Sequence, residues 1–179
     1  MNNYVYHGSN VPNIKRLEPK LSTHGEKYVY ASPDIVIATI FLARWNDYIF
    51  RLNHIDDNLI LVENYEGALQ EVFNGKKGYV YKLKSTSFYF PENHWQGEVV
   101  SKEAVEVEEV IDITNIYETL CQYEKEGKVK LYRYPDRPSI YPADDSDLIE
   151  LVKLNIKNFG EDQLQKFLEY HPHLENKVK

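Results

Sequence analysis

At 179 residues, with 42% hydrophobic side chains and a net charge of −7, the chain is long enough for one cored domain and too acidic for nonspecific nucleic-acid binding. Its basic residues near 125–137 alternate with Glu124, Glu126 and Asp136 and form no basic patch. A lone cysteine, Cys121, excludes an intrachain disulfide and a cysteine-built zinc site. The longest apolar run, residues 35–43, ends at Arg44, too short to span a bilayer. The opening Met1-Asn2-Asn3-Tyr4 lacks the basic-then-apolar order of a secretory signal, so a cytoplasmic protein without membrane contact is expected.

In chain order, residues 3–7 alternate tyrosine and valine and predict a strand stopping at Gly8-Ser9-Asn10. Residues 11–25 read as loop and 27–31 as a second strand. Ser32-Pro33-Asp34 predicts a helix start, with Ser32 as the cap and Pro33 as the first helical residue. The helix is expected to carry Ile35, Ala38, Phe41, Leu42, Trp45 and Ile49 on a 3.6-residue period. Residues 53–58 read as polar loop, 59–62 as strand, and 65–74 as a helix closed by Gly75. Strands follow at 78–83, 98–100 and 104–113, the last with an interrupted alternation that predicts a bulge. Between them, residues 85–96 form an irregular connection rich in aromatics, among them His94 and Trp95.

Past Thr114 the pattern turns helical: 115–126, 145–159 and 161–170, with a short strand at 128–133. Leu148, Leu151, Val152 and Phe159 make an apolar stripe. The expected layout is α+β, with a strand-rich body over 1–113 and a helical appendage over 114–179. No glycine loop has P-loop or dinucleotide spacing, and no Gly-x-Ser-x-Gly elbow occurs. His171-x-His173 is not expected to bind metal.

Fifteen tyrosines against seven phenylalanines and two tryptophans favour half-wet positions such as cleft walls. Three motifs give that preference a place. Tyr6-His7-Gly8-Ser9 ends the first strand. Tyr30-Ala31-Ser32 ends the second, with Phe41 eleven residues further on. Gln96-Gly97-Glu98 opens a late strand. In order and spacing, over residues 4–112, the chain resembles ADP-ribosyltransferases of the His-Tyr-Glu type, the group of diphtheria toxin and the poly(ADP-ribose) polymerases.

The resemblance implies split β-sheets with flanking helices, and NAD as substrate. It implies Glu98, His7 and Tyr30 as catalytic residues, with His7, Gly8, Ser9, Tyr30 and Phe41 binding NAD, and no metal. Two departures stand out. Phe41 replaces the commoner tyrosine, and Gln96-x-Glu98 looks like the turn of the Arg-Ser-Glu branch, which leaves the type of target residue open; the acceptor expected is a protein or nucleic acid, or water. The RNA 2′-phosphotransferases share this fold but use further histidine and arginine positions that have no counterpart placed here.

The chemistry fits the residue types. Cleaving the nicotinamide–ribose bond spreads positive charge over the sugar, which a fixed carboxylate such as Glu98 stabilises. Aromatic faces of Tyr30 and Phe41 suit stacking on flat nicotinamide. Gly8, lacking Cβ, lets the carboxamide approach its backbone, and His7 and Ser9 suit ribose hydroxyls. The expected activity is ADP-ribosyl transfer or NAD glycohydrolysis. The alternative is a catalytically silent module on the same scaffold that binds a nucleotide or a partner.

Overall fold

The computed structural model describes residues 3–21, 25–92, 95 and 97–178. Strands β1 (Tyr4–Ser9), β2 (Arg16–Leu17), β3 (Lys20–Leu21) and β4 (Lys27–Ala31) precede helix α1 (Ile35–Ile40). Strands β5 (Phe50–Ile55) and β6 (Asn58–Glu63) are followed by helix α2 (Ala68–Phe73), then β7 (Gly78–Lys84), β8 (Val99–Ser101) and β9 (Val105–Ile113). Helix α3 (Ile116–Lys125), strand β10 (Lys130–Tyr132) and helices α4 (Ser146–Phe159), α5 (Asp162–Tyr170) and α6 (Glu175–Val178) follow. Helix and strand are mixed, as expected for an α+β protein.

The chain forms two compact units, each assembled from two separated stretches: Met1–Arg44 with Phe73–Tyr123, and Trp45–Val72 with Glu124–Lys179. This differs from the expected body over 1–113 and helical appendage over 114–179. The reason is β10, which pairs in parallel with β6 (Leu131 opposite Leu61) and so joins the C-terminal stretch to the β5–β6 hairpin.

In the first unit, β1-β7-β9-β2 form an antiparallel sheet and β3-β4-β8 a smaller one. The expected bulge is present. Lys82 faces Glu109 but Leu83 faces Val107, so Glu108 is the extra residue. Inward residues of both sheets, including Val5, Val29, Ala31, Tyr81, Leu83 and Val99, share one core. Among the described residues, a backbone bridge links the two sheets. Tyr6 N–H donates to the Ser32 carbonyl and Ser32 N–H to the Tyr6 carbonyl, both at 2.8 Å.

That bridge explains the helix start. Ser32 belongs to the sheet through its backbone, and its hydroxyl accepts from Asp34 N–H. The cap is Asp34, whose carboxylate accepts from Val36 N–H at 2.7 Å. Helix α1 also stops at Ile40, far short of the expected Ile49. Leu42 and Ala43 N–H groups close tight turns onto Thr39 and Ile40 carbonyls, and Asn46 turns its side chain to Tyr48 N–H. The apolar period beyond Phe41 reflected burial in other structure, not continued helix.

In the second unit the sheet order is β10-β6-β5. Residues 53–58, expected as loop, are the end of β5, its hairpin turn and the first residue of β6. Asp56 and Asp57 both take positive φ, the geometry of a two-residue turn usually signalled by Asn-Gly. Tyr48, Leu148, Val152, Phe167 and Leu174 form the core there, with Leu151 partly buried. Phe159, the last residue of the expected stripe, is 69% exposed. Among the described residues, no helix is long and apolar enough to cross a membrane.

Candidate active site

A cavity of about 260 Å³ opens in the first unit where four segments meet. The end of β1 contributes Tyr6, His7 and Gly8, and the end of β4 contributes Tyr30 to Ser32. Helix α1 supplies Ile37, Ala38 and Phe41, and the segment before β8 supplies Trp95, Gly97 and Glu98. The Tyr6–Ser32 bridge sets this meeting point, because it holds the ends of β1 and β4 side by side. Of the residues expected to act, His7, Gly8, Tyr30, Phe41 and Glu98 therefore line one cavity. Ser9 does not; its hydroxyl accepts from Val11 N–H in the turn. Gln96 and His94 lie outside the described residues.

His7 is half-buried, and its Nδ1 lies 2.7 Å from the Tyr30 carbonyl oxygen. A carbonyl only accepts, so Nδ1 carries the proton and Nε2 keeps a lone pair. Burial pushes the imidazole below its ordinary value of 6.5; the Tyr30 carbonyl opposes this, and the charge of Lys20 reinforces it. His7 is thus a neutral acceptor at physiological pH.

Gly8 is required by packing. A Cβ there would meet the Ala38 carbonyl oxygen at 2.1 Å, so the glycine lets α1 close on β1. Leaving the backbone open to a ligand, the role expected from sequence, is not the only demand on this position. Gly97 stands similarly under the Trp95 ring, whose nearest atom would be 2.3 Å from a Cβ.

Phe41 is 56% and Trp95 41% exposed, and their ring centroids lie 6.3 Å apart. Two large apolar rings kept in water at a cavity mouth provide a stacking surface for a flat ligand. Trp95 was missed from sequence. Its only signal was its place in an aromatic run two residues ahead of Gly97-Glu98. Tyr30 is half-buried and meets Tyr28 edge-on, with ring centroids 5.9 Å apart.

His171 is the other shifted histidine. Its Nε2 donates to the Tyr48 carbonyl at 2.7 Å, and burial again holds it below 6.5. For both histidines the folded value lies under the unfolded one, so between the two values the unfolded chain binds more protons. Stability should be complete above about pH 6.5 and decline as pH falls through the folded values. Thermal unfolding midpoints between pH 7.5 and 5 check this, with His7→Gln/His171→Gln expected to flatten the decline. An unchanged slope in that variant would assign the decline to other groups.

No protein-family model matches the chain, and no curated protein and no solved structure matches it.

Proposed function

We propose that the protein cleaves NAD at the nicotinamide–ribose bond and passes ADP-ribose to an acceptor or to water, on a fold of the ADP-ribosyltransferase kind. One observation carries this reading. His7, Tyr30 and Glu98 come from three separate strand boundaries, yet all line the same cavity. At about 260 Å³, just under the roughly 300–1,000 Å³ usual for small-molecule sites, the cavity suits a nicotinamide with its ribose better than a whole dinucleotide.

In this reading nicotinamide stacks on the aromatic walls, Tyr30 within and Phe41 with Trp95 at the mouth. The His7 Nε2 lone pair accepts from a ribose hydroxyl. As the C1′–N bond breaks, its electron pair leaves with nicotinamide and positive charge grows on the ribose, where the Glu98 carboxylate stabilises it. The acceptor oxygen or nitrogen, protein, nucleic acid or water, then bonds to C1′ and loses its proton to solvent.

The test is a thermal shift with NAD, followed by nicotinamide release with and without acceptors. NAD stabilisation without release under any acceptor condition would favour the silent-module alternative. Neither stabilisation nor release would remove NAD as the ligand. Tyr30→Ala should weaken nicotinamide binding by about five- to tenfold, because stacking worth roughly 1–1.4 kcal/mol is already present in the ground state. Calorimetric titration with nicotinamide checks this, and unchanged affinity would take Tyr30 out of the clamp.

A further inference from the structure

Taking the cavity as the seat of the nicotinamide–ribose head, we infer that Lys20 is the cationic anchor for the ligand's diphosphate, on the β3–β4 face beside the cavity. In the antiparallel β3–β4 pair, Lys20 lies directly opposite Tyr28, and opposed residues project to the same face of a sheet. Tyr28 and Tyr30, two apart on β4, share that face, as their edge-on ring contact also requires. Tyr30 is cavity wall. The register therefore puts Lys20 one residue pair outside the site, on the side where Tyr30 meets Tyr28.

Lys20 is exposed, and its charge reaches His7 in the cavity wall. The other lysine flanking Tyr28 is already engaged: Lys102 pairs with Glu26 at 2.9 Å, and the Tyr28 hydroxyl donates to the same carboxylate. Among the described residues, no carboxylate forms an ion pair with Lys20.

The ligand's chemistry calls for such a group. A dinucleotide whose head fills a cavity of about 260 Å³ must leave its two phosphates outside, and a chain of net charge −7 repels them unless a local cation compensates. A lysine on a flexible stem suits that task as a point charge and hydrogen-bond donor. Lys20 would then separate ligands by their phosphates, leaving the fit of the head group to the cavity.

The experiment measures Kd for NAD, ADP-ribose and nicotinamide in wild type, Lys20→Glu, Lys20→Gln and Lys20→Arg, at low and high salt. Lys20→Glu should raise Kd for NAD and ADP-ribose about tenfold, the value of one charge-assisted contact, and leave nicotinamide unchanged. Lys20→Arg should stay near wild type. Lys20→Gln should show a shallower loss of NAD affinity with salt. In the free protein, Lys20→Gln should also raise the His7 titration midpoint seen by NMR.

Wild-type affinities for NAD and ADP-ribose in Lys20→Glu, or an equal loss for nicotinamide, would overturn the assignment without touching the NAD reading. ADP-ribose binding through Lys20 with no nicotinamide binding would keep the assignment and fault the head-group reading. A wild type that binds none of the three overturns both.

Discussion

Glu98→Gln should lower nicotinamide release from NAD by about 10²–10³-fold, the usual cost of removing one group aimed at developing charge. NAD affinity should stay within roughly a few-fold, because glutamine keeps the shape and the charge it must meet appears only as the C1′–N bond breaks. Single-turnover release and equilibrium titration, run on the same preparation, separate the two effects. Turnover equal to wild type would mean that Glu98 is not the carboxylate of the reaction. A parallel loss of binding and turnover would instead make it a ground-state contact.

Gly8→Ala should destabilise the first unit by about 3 kcal/mol, at the upper end of the cost of overpacking a filled interior. The added methyl would meet the Ala38 carbonyl oxygen at 2.1 Å, and that atom belongs to helix backbone, so no rotamer change relieves the clash. Either α1 withdraws or β1 bends, and both movements open the cavity wall. The urea midpoint should fall with the slope unchanged. A midpoint equal to wild type would show that α1 does not depend on the glycine to close on β1.

Much of the first unit was legible in sequence because its strands alternate cleanly and end in turn residues. Residues 27–31 coincide with β4, and the broken alternation near Glu108 marks the bulge. Of the five candidate residues that share a cavity, His7, Gly8, Tyr30 and Glu98 stand at strand ends or starts, where side chains from different strands meet, and Phe41 is marked by its eleven-residue step from Tyr30. Ser9, the last residue of β1, turns its hydroxyl to the Val11 N–H, a local closure that sequence does not distinguish from a ligand contact.

Other features needed tertiary information. The hairpin at Asp56-Asp57 carries no glycine to announce it. The two-residue strands β2 and β3 are too short to show a period, yet β3 is what positions Lys20. Trp95 follows no motif, and only the fold brings it to Phe41. The grouping of Trp45–Val72 with Glu124–Lys179 rests on parallel pairing between strands far apart in sequence, which no local pattern encodes.

That interleaving has a consequence for how the chain is made. Beyond its one bridge to Ser32, strand β1 pairs along its length with β7, Tyr4 opposite Lys84, and β6 waits for β10 at the far side of β9. As the polypeptide leaves the ribosome, the strand carrying His7 emerges with its hydrogen-bonding edge open while the whole β5–β6 hairpin is synthesised after it. Closing so long a loop costs little extra in equilibrium stability but slows the search. The newborn segment therefore keeps that edge open until β7 emerges, and the cavity cannot exist until the second visit of the chain to the first unit.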